Sequence, residues 1–179
     1  DMEYDIAKTI GYDNEKIVYN GPFKGNNMEK HLLCGGILNI DNLEEVNRVI
    51  DFAQGYDQIF KVGIRVNISV GQNFISRFGI DAESDDLKYA VERINNCKNV
   101  KLVGLHCHIG QARGLEAWKN RTIQMLQLAD EYIEGVPEYI DLGSGMNGDM
   151  APAMKAQFQN VHTYEEYAMV TAKLVAEHY

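Results

Sequence analysis

Cysteine, basic residues and long apolar runs are all in short supply, and each shortage closes off a class of protein. The 179 residues include three cysteines, Cys34, Cys97 and Cys107. An odd number with no C-x-x-C spacing, two of them in or beside apolar segments, fits reduced cytoplasmic thiols rather than a disulfide framework. Lysine and arginine total 17 against 26 aspartates and glutamates, for a net charge of −9. No basic stripe is therefore available to neutralise a phosphate backbone, which argues against nucleic acid as a partner. Any anion has to be bound locally. A membrane-spanning helix needs about 18 or more consecutive apolar residues, and neither such a run nor a signal-peptide pattern is present. No internal repeat appears, which disfavours a solenoid. What remains, 45% hydrophobic and 24% charged residues, is ordinary globular composition.

The apolar residues alternate between two periodicities. Strand patterns begin near Ile17, Ile37, Val62, Lys101 and Glu138, each followed by a helical pattern, which is the alternation of a parallel α/β sheet. Helices are expected over residues 3–10, 28–34 (closed by Gly35-Gly36), 85–95 and 115–133. Two more are announced by capping boxes, Asp41-Asn-Leu-Glu44 and Thr163-Tyr-Glu-Glu166. The first has Leu43, Val46, Ile50 and Ala53 on one face, and the second continues to the C-terminus. Residues 70–80, rich in Gly, Asn and Ser, read as a loop. The spacing suits a (β/α) barrel, but a complete one has eight units and five are counted here. Because the chain also opens in what reads as mid-helix, residues 1–179 are expected to be one incomplete barrel domain of a longer protein, with units missing at both ends.

Three stretches carry chemistry. Val100–Gln111 is an apolar strand ending in His106-Cys-His108-Ile-Gly110. Residues two apart on a strand share a face, so the two imidazoles could hold one metal ion or stack on a flat ring. Alternatively, one is a core residue and the other a loop residue. Tyr139–Met146 is a second short strand, running into Gly143-Ser-Gly145. Glycines there either form a tight turn or let the backbone approach an anion and direct N–H groups at it. Arg65 interrupts the strand of Val62, Ile64, Val66 and Ile68 on its opposite face, as part of a surface salt bridge or of a site. Two successive parallel strands that end in ligand-type residues put both sets at one end of the sheet.

Gly104-Leu-His-Cys-His-Ile-Gly110 resembles the GLHxHIGS segment of the fold-type III pyridoxal-phosphate decarboxylases, the family of diaminopimelate, ornithine and arginine decarboxylases. Asp141-Leu-Gly-Ser-Gly145 resembles their D-[IL]-G-G-G phosphate loop, and Ser76-Arg-Phe-Gly-Ile80 their S-K-F-G segment. The order matches the family's, and Asn20-Gly-Pro22, Asn39–Glu45 and Gly63-Ile-Arg65 fall where its earlier barrel strands end.

The resemblance implies a partial alanine-racemase-like barrel that binds pyridoxal 5'-phosphate in a cytoplasmic, homodimeric enzyme decarboxylating an amino acid. It makes His108 the ring-stacking residue. Gly143, Ser144 and Gly145 become the phosphate loop, with Gln111 in place of the family's serine. Arg65 and Glu3 take polar positions around the ring, and no metal is implied. The family's Schiff-base lysine, its E-P-G-R segment and its C-terminal β-domain have no counterpart in this chain, so the chain alone is expected to be inactive. A racemase-like barrel enzyme and a non-catalytic regulatory relative, the latter favoured by Gln111 and Ser144, are the alternatives. Among meso-diaminopimelate, ornithine, arginine, lysine and carboxynorspermidine, the wording of the histidine and Ser-Arg-Phe-Gly segments leans to diaminopimelate.

Overall fold

Strict alternation over Phe60–Asn67 puts Val62, Ile64 and Val66 on one face, and all three are buried. That strand is the centre of the sheet in the computed structural model, which describes residues 2–71, 76–158 and 160–179. The strands are β1 (Val18–Tyr19), β2 (Ile37–Ile40), β3 (Phe60–Asn67), β4 (Ile80–Asp81), β5 (Val100–His106) and β6 (Tyr139–Asp141). They pair in the order β1-β2-β3-β5-β6, with β4 added beside β3, and every pairing is parallel. Helices α1 (Met2–Thr9), α2 (Asn27–Leu33), α3 (Leu43–Ala53), α4 (Asp85–Asn95) and α5 (Leu115–Tyr132) run between or ahead of them. A short α6 (Pro152–Lys155), α7 (Tyr164–Val170) and α8 (Ala172–His178) follow β6. The result is a parallel half-barrel with its helices outside. Its core is Leu38, Ile40, Val62, Ile64 and Leu105 from the strands against Val46, Val49, Leu87, Ile94, Met125 and Ala129 from the helices.

Three local readings are corrected. The cap of α3 is Asn42, not Asp41: the Asn42 side chain accepts from Glu45 N at 2.9 Å. Asp41 instead turns its carboxylate to Arg65 and Gly79. β4 begins at the last residue of the stretch read as loop and was not expected, because a two-residue strand shows no period and exists only by pairing with Val66 and Asn67; residues 72–75 of that stretch lie outside the described residues. The C-terminal helix is two helices. The Thr171 hydroxyl donates to the Tyr167 carbonyl at 2.8 Å while its N–H reaches Ala168, and such back-bonding bends or breaks helices. The Thr163–Glu166 capping box is present as expected.

His31 on α2 is fully buried, edge-on to Tyr4 and Tyr19. Its Nε2 lies 2.9 Å from the Ile37 carbonyl, so that nitrogen donates, while Nδ1 has no well-formed hydrogen bond among the described residues. Gly36 is required beneath it, since a Cβ there would collide with the imidazole ring. Burial lowers the His31 pKa from its ordinary 6.5. The unfolded chain therefore takes up this proton first as pH falls, and the stability His31 allows above about pH 6.5 drains away toward the depressed folded value. Denaturation midpoints of wild type and His31→Phe should converge as the pH falls below about 6.5. Parallel curves would exclude His31 as the source of the slope.

Candidate active site

The strand registers align side chains in rows across the sheet. Asn39, Gly63, Gly104 and Tyr139 are in register on β2, β3, β5 and β6. Two glycines in that row leave room for the Tyr139 ring, and its hydroxyl crosses them to donate to Asn39 Oδ1. Two residues further along, at the C-terminal ends of the strands, Arg65 pairs in register with His106 and His106 with Asp141. By the period of 2, side chains two apart share a face, so this second row sits directly above the first. Asp41, just past β2, reaches into it.

The second row is held by charge. Arg65 Nη1 donates to Asp41 Oδ1 at 3.2 Å, and Gly79 N donates to Asp41 Oδ2 at 3.1 Å. The Arg65 guanidinium also lies 5.1 Å from the centre of the Phe78 ring. The Ser-Arg-Phe-Gly segment thus places a ring on the arginine and an amide on its partner. Arg65 is only 9% exposed, so the pair belongs to the sheet interior, not to the surface. His106 Nδ1 lies 2.9 Å from Asp141 Oδ2, a short polar contact without the alignment of a full hydrogen bond. Asp141 Oδ1 accepts from Gly143 N at 2.8 Å, and Asn20 reaches Oδ2 at 3.4 Å. Burial pushes the Asp141 carboxyl up, but His106, the Gly143 amide and Asn20 outweigh it and hold the pKa below the ordinary value. Asp141 therefore stays ionised.

Asn20, Arg65, Phe78, His106, His108, Asp141, Gly143 and Ser144 line an open cleft of about 490 Å³ at this end of the sheet. A second hollow of about 500 Å³ lies between Asn147–Met150 and Val161–Glu165, away from the strand ends and their aligned charges. His108 stands beyond the end of β5, so the two histidines do not share a strand face. It is exposed, and its Nδ1 accepts from Ser144 N at 3.4 Å. Desolvation, then Arg65, His106 and Arg121, lower its pKa below 6.5, which favours a neutral ring. Among the described residues, no group of three or more His, Cys, Asp or Glu side chains is placed to hold a metal ion.

Of the residues singled out by sequence, His108, Arg65, Gly143 and Ser144 meet at the cleft. Gly145 lies beside it, at φ +107, where a Cβ would come within 2.8 Å of the Ile109 carbonyl. Gln111 is exposed and does not line the cleft, because the chain turns outward after Gly110. Glu3 is exposed on α1, and the residue that α1 buries is its neighbour Tyr4. Asn20, Phe78 and Asp141 were quoted within motifs without being given a site role. For Asp141 the signal lay in its register with His106, and for Asn20 and Phe78 in contacts from loops beyond the strand ends, neither of which single motifs show. No lysine lines the cleft among the described residues.

Residues 1–179 match the family model described as "Pyridoxal-dependent decarboxylase, pyridoxal binding domain", and the chain belongs to that family. It is 32% identical over 161 residues to a diaminopimelate decarboxylase of Staphylococcus aureus, covering 80% of this chain and 36% of that one. It is 28% identical to one of Neisseria meningitidis, covering 96% and 43%. The chain thus spans well under half the length of these relatives. Among solved structures, the diaminopimelate decarboxylase of Methanocaldococcus jannaschii superposes with a TM-score of 0.72 at 22% identity, covering 98% of this chain and 43% of that one. The arginine decarboxylase of Paramecium bursaria Chlorella virus superposes at 0.73 with 16% identity, covering 99% and 46%. The shared fold is the partial barrel expected from the sequence.

Proposed function

We propose that this chain is the cofactor-binding barrel portion of a pyridoxal-phosphate-dependent amino-acid decarboxylase, with meso-diaminopimelate as substrate. In this reading residues 1–179 are one incomplete domain, and the parent is a cytoplasmic homodimer. The observation that carries it is the convergence of His108, Arg65 and the Gly143-Ser144 turn on one cleft at the strand ends. The residues fit a phosphorylated pyridine ring on its phosphate side. At Gly143 a Cβ would strike the Cys107 carbonyl, and at Gly145 the Ile109 carbonyl, so neither of these positions has room for a side chain and both present bare backbone on either side of Ser144. The diaminopimelate assignment is supported by the relatives above, which are diaminopimelate decarboxylases.

Bound pyridoxal phosphate supplies an electron sink for the electron pair released as carbon dioxide leaves. His108, neutral and fixed by the Ser144 amide, offers a flat face against a ring and orients it without moving a proton. Arg65, locked by Asp41 and Phe78, supplies a fixed positive charge at the cleft wall. Asp141 holds His106 and the Gly143 amide together, so the two strand ends keep one geometry. Gly145 and Ser144 complete the phosphate side, whereas Gln111 and Glu3 would need contacts from elsewhere to take part.

The test uses the full-length protein: long-wavelength cofactor absorbance, and carbon dioxide release from meso-diaminopimelate set against ornithine, arginine, lysine and carboxynorspermidine. Absence of both signals would sink the decarboxylase reading, and cofactor without decarboxylation would favour the racemase-like alternative. Within it, His108→Ala should weaken cofactor retention about tenfold, the scale of one aromatic stacking contact. His108→Phe should keep most of it, and His106→Asn should lose less than His108→Ala. The stacking role fails if Phe behaves like Ala.

A further inference from the structure

Arg121 lies in the middle of the apolar face of α5, yet it is fully buried, 0% exposed. No carboxylate pairs with it among the described residues; its guanidinium lies 4.3 Å from the centre of the Trp118 ring and is otherwise surrounded by carbonyls. Nη1 donates to Leu142 O at 2.8 Å and Ser144 O at 3.2 Å, and Nη2 donates to Ile109 O at 2.9 Å and Ala112 O at 3.4 Å. Two of these acceptors lie in the loop after β5 and two in the loop after β6. One side chain therefore ties together the two loops that flank the cleft.

The geometry has a directional consequence. In a planar trans peptide the C=O and the following N–H point to opposite sides. Each carbonyl drawn in toward Arg121 turns the next amide outward. At Leu142 this is visible directly, because the Gly143 N–H donates away from Arg121, to Asp141. The same rule turns out the N–H groups of Gly110, after Ile109, and Gly145, after Ser144. Neither has an acceptor among the described residues. An array of outward amides backed by a buried, unpaired cation is suited to an anion.

We propose that Arg121 is a positioning residue that sets the phosphate cradle by fixing the Gly110 and Gly145 amides outward from both loops at once. The inference rests on the cofactor reading above and adds a residue that never touches the cofactor. Its test compares affinities for pyridoxal phosphate and for unphosphorylated pyridoxal in full-length wild type, Arg121→Met and Arg121→Lys. Arg121→Met should lose pyridoxal phosphate affinity about tenfold or more, the scale of a weakened charge-assisted hydrogen bond, while pyridoxal affinity changes by less than about threefold. Arg121→Lys keeps the charge but cannot span four carbonyls, and should restore only part of the preference. Equal losses for both ligands, or no loss, would overturn the proposal. A wild type with no preference for the phosphorylated ligand would instead sink the cofactor reading. Should the variants not fold, hydrogen exchange on wild type decides: the Gly110 and Gly145 amides should be slowed by pyridoxal phosphate but not by pyridoxal, and unchanged exchange would overturn the assignment.

Discussion

Glu45→Ala is expected to cost about 3–5 kcal/mol of folding stability, the range for removing one partner of a buried ion pair. Lys24 and Glu45 meet at 2.6 Å with side chains 0% and 8% exposed. Lys24 Nζ also donates to the Gly21 and Asn39 carbonyls, so all three of its protons are engaged. Desolvation lowers the Lys24 pKa, opposed by Glu45; without that carboxylate a buried ammonium would have to lose its proton or drag water inward. Glu45 Oε2 further accepts from Asp41 N at 2.9 Å, and Asp41 holds Arg65, so damage at Glu45 reaches the cleft wall. Lys24→Met combined with Glu45→Leu should recover part of the loss, because no charge is then stranded, although the freed carbonyls stay unpartnered. Urea denaturation of the single and double variants provides the measurement. A Glu45→Ala protein within about 1 kcal/mol of wild type would show that the pair is solvated after all.

Gly143→Ala should abolish most cofactor binding while Gly110→Ala leaves it largely intact. Gly143 sits at φ +67, in the left-handed region, where a side chain costs about 1–2 kcal/mol. The added Cβ would also strike the Cys107 carbonyl and come within 2.9 Å of His108 Cα. Both obstacles are backbone, so relief requires the two loops to separate, adding about 1–3 kcal/mol. At Gly110 a Cβ would find only His108 Nε2, at an ordinary 3.7 Å, and the amide is unchanged. Pyridoxal phosphate dissociation constants and melting temperatures of the two variants discriminate: similar behaviour would mean that the close approach of the loops does not govern the site.

The half-barrel was legible because parallel strands buried on one face keep their period. Phe60–Asn67 shows it plainly, Val100–His106 was legible as an apolar run although the register shifts at Val103, and the helices at 85–95 and 115–132 fall where apolar spacing puts them. Two local features were not legible: Ile80-Asp81 has no period, and the break at Thr171 depends on which carbonyl a hydroxyl takes. In the site, His108, Arg65, Gly143 and Ser144 were legible as residue types at strand ends. Asp141 was hidden because its role depends on standing opposite His106 across a register no single strand contains. Arg121 was hidden differently, since an arginine at helical spacing among Trp118, Thr122 and Met125 reads as an exposed interruption until the carbonyls around it are seen. Gln111, which stands in place of the family's serine, and Glu3 show the converse, with positions aligned to motifs in sequence but side chains exposed to solvent.

The contact of Tyr139 with Asn39 joins β6 to β2 over β3 and β5. Along the sheet those strands are three spacings apart, about 14 Å at about 4.8 Å each, whereas the tyrosine and asparagine bridge them straight through the interior. A chord fixed in length under an arc fixed in length determines the radius of that arc. The bend that brings Arg65, His106 and Asp141 round to face a common cleft is therefore set one layer below them by the reach of a single phenol, with Gly63 and Gly104 left bare so that it can pass.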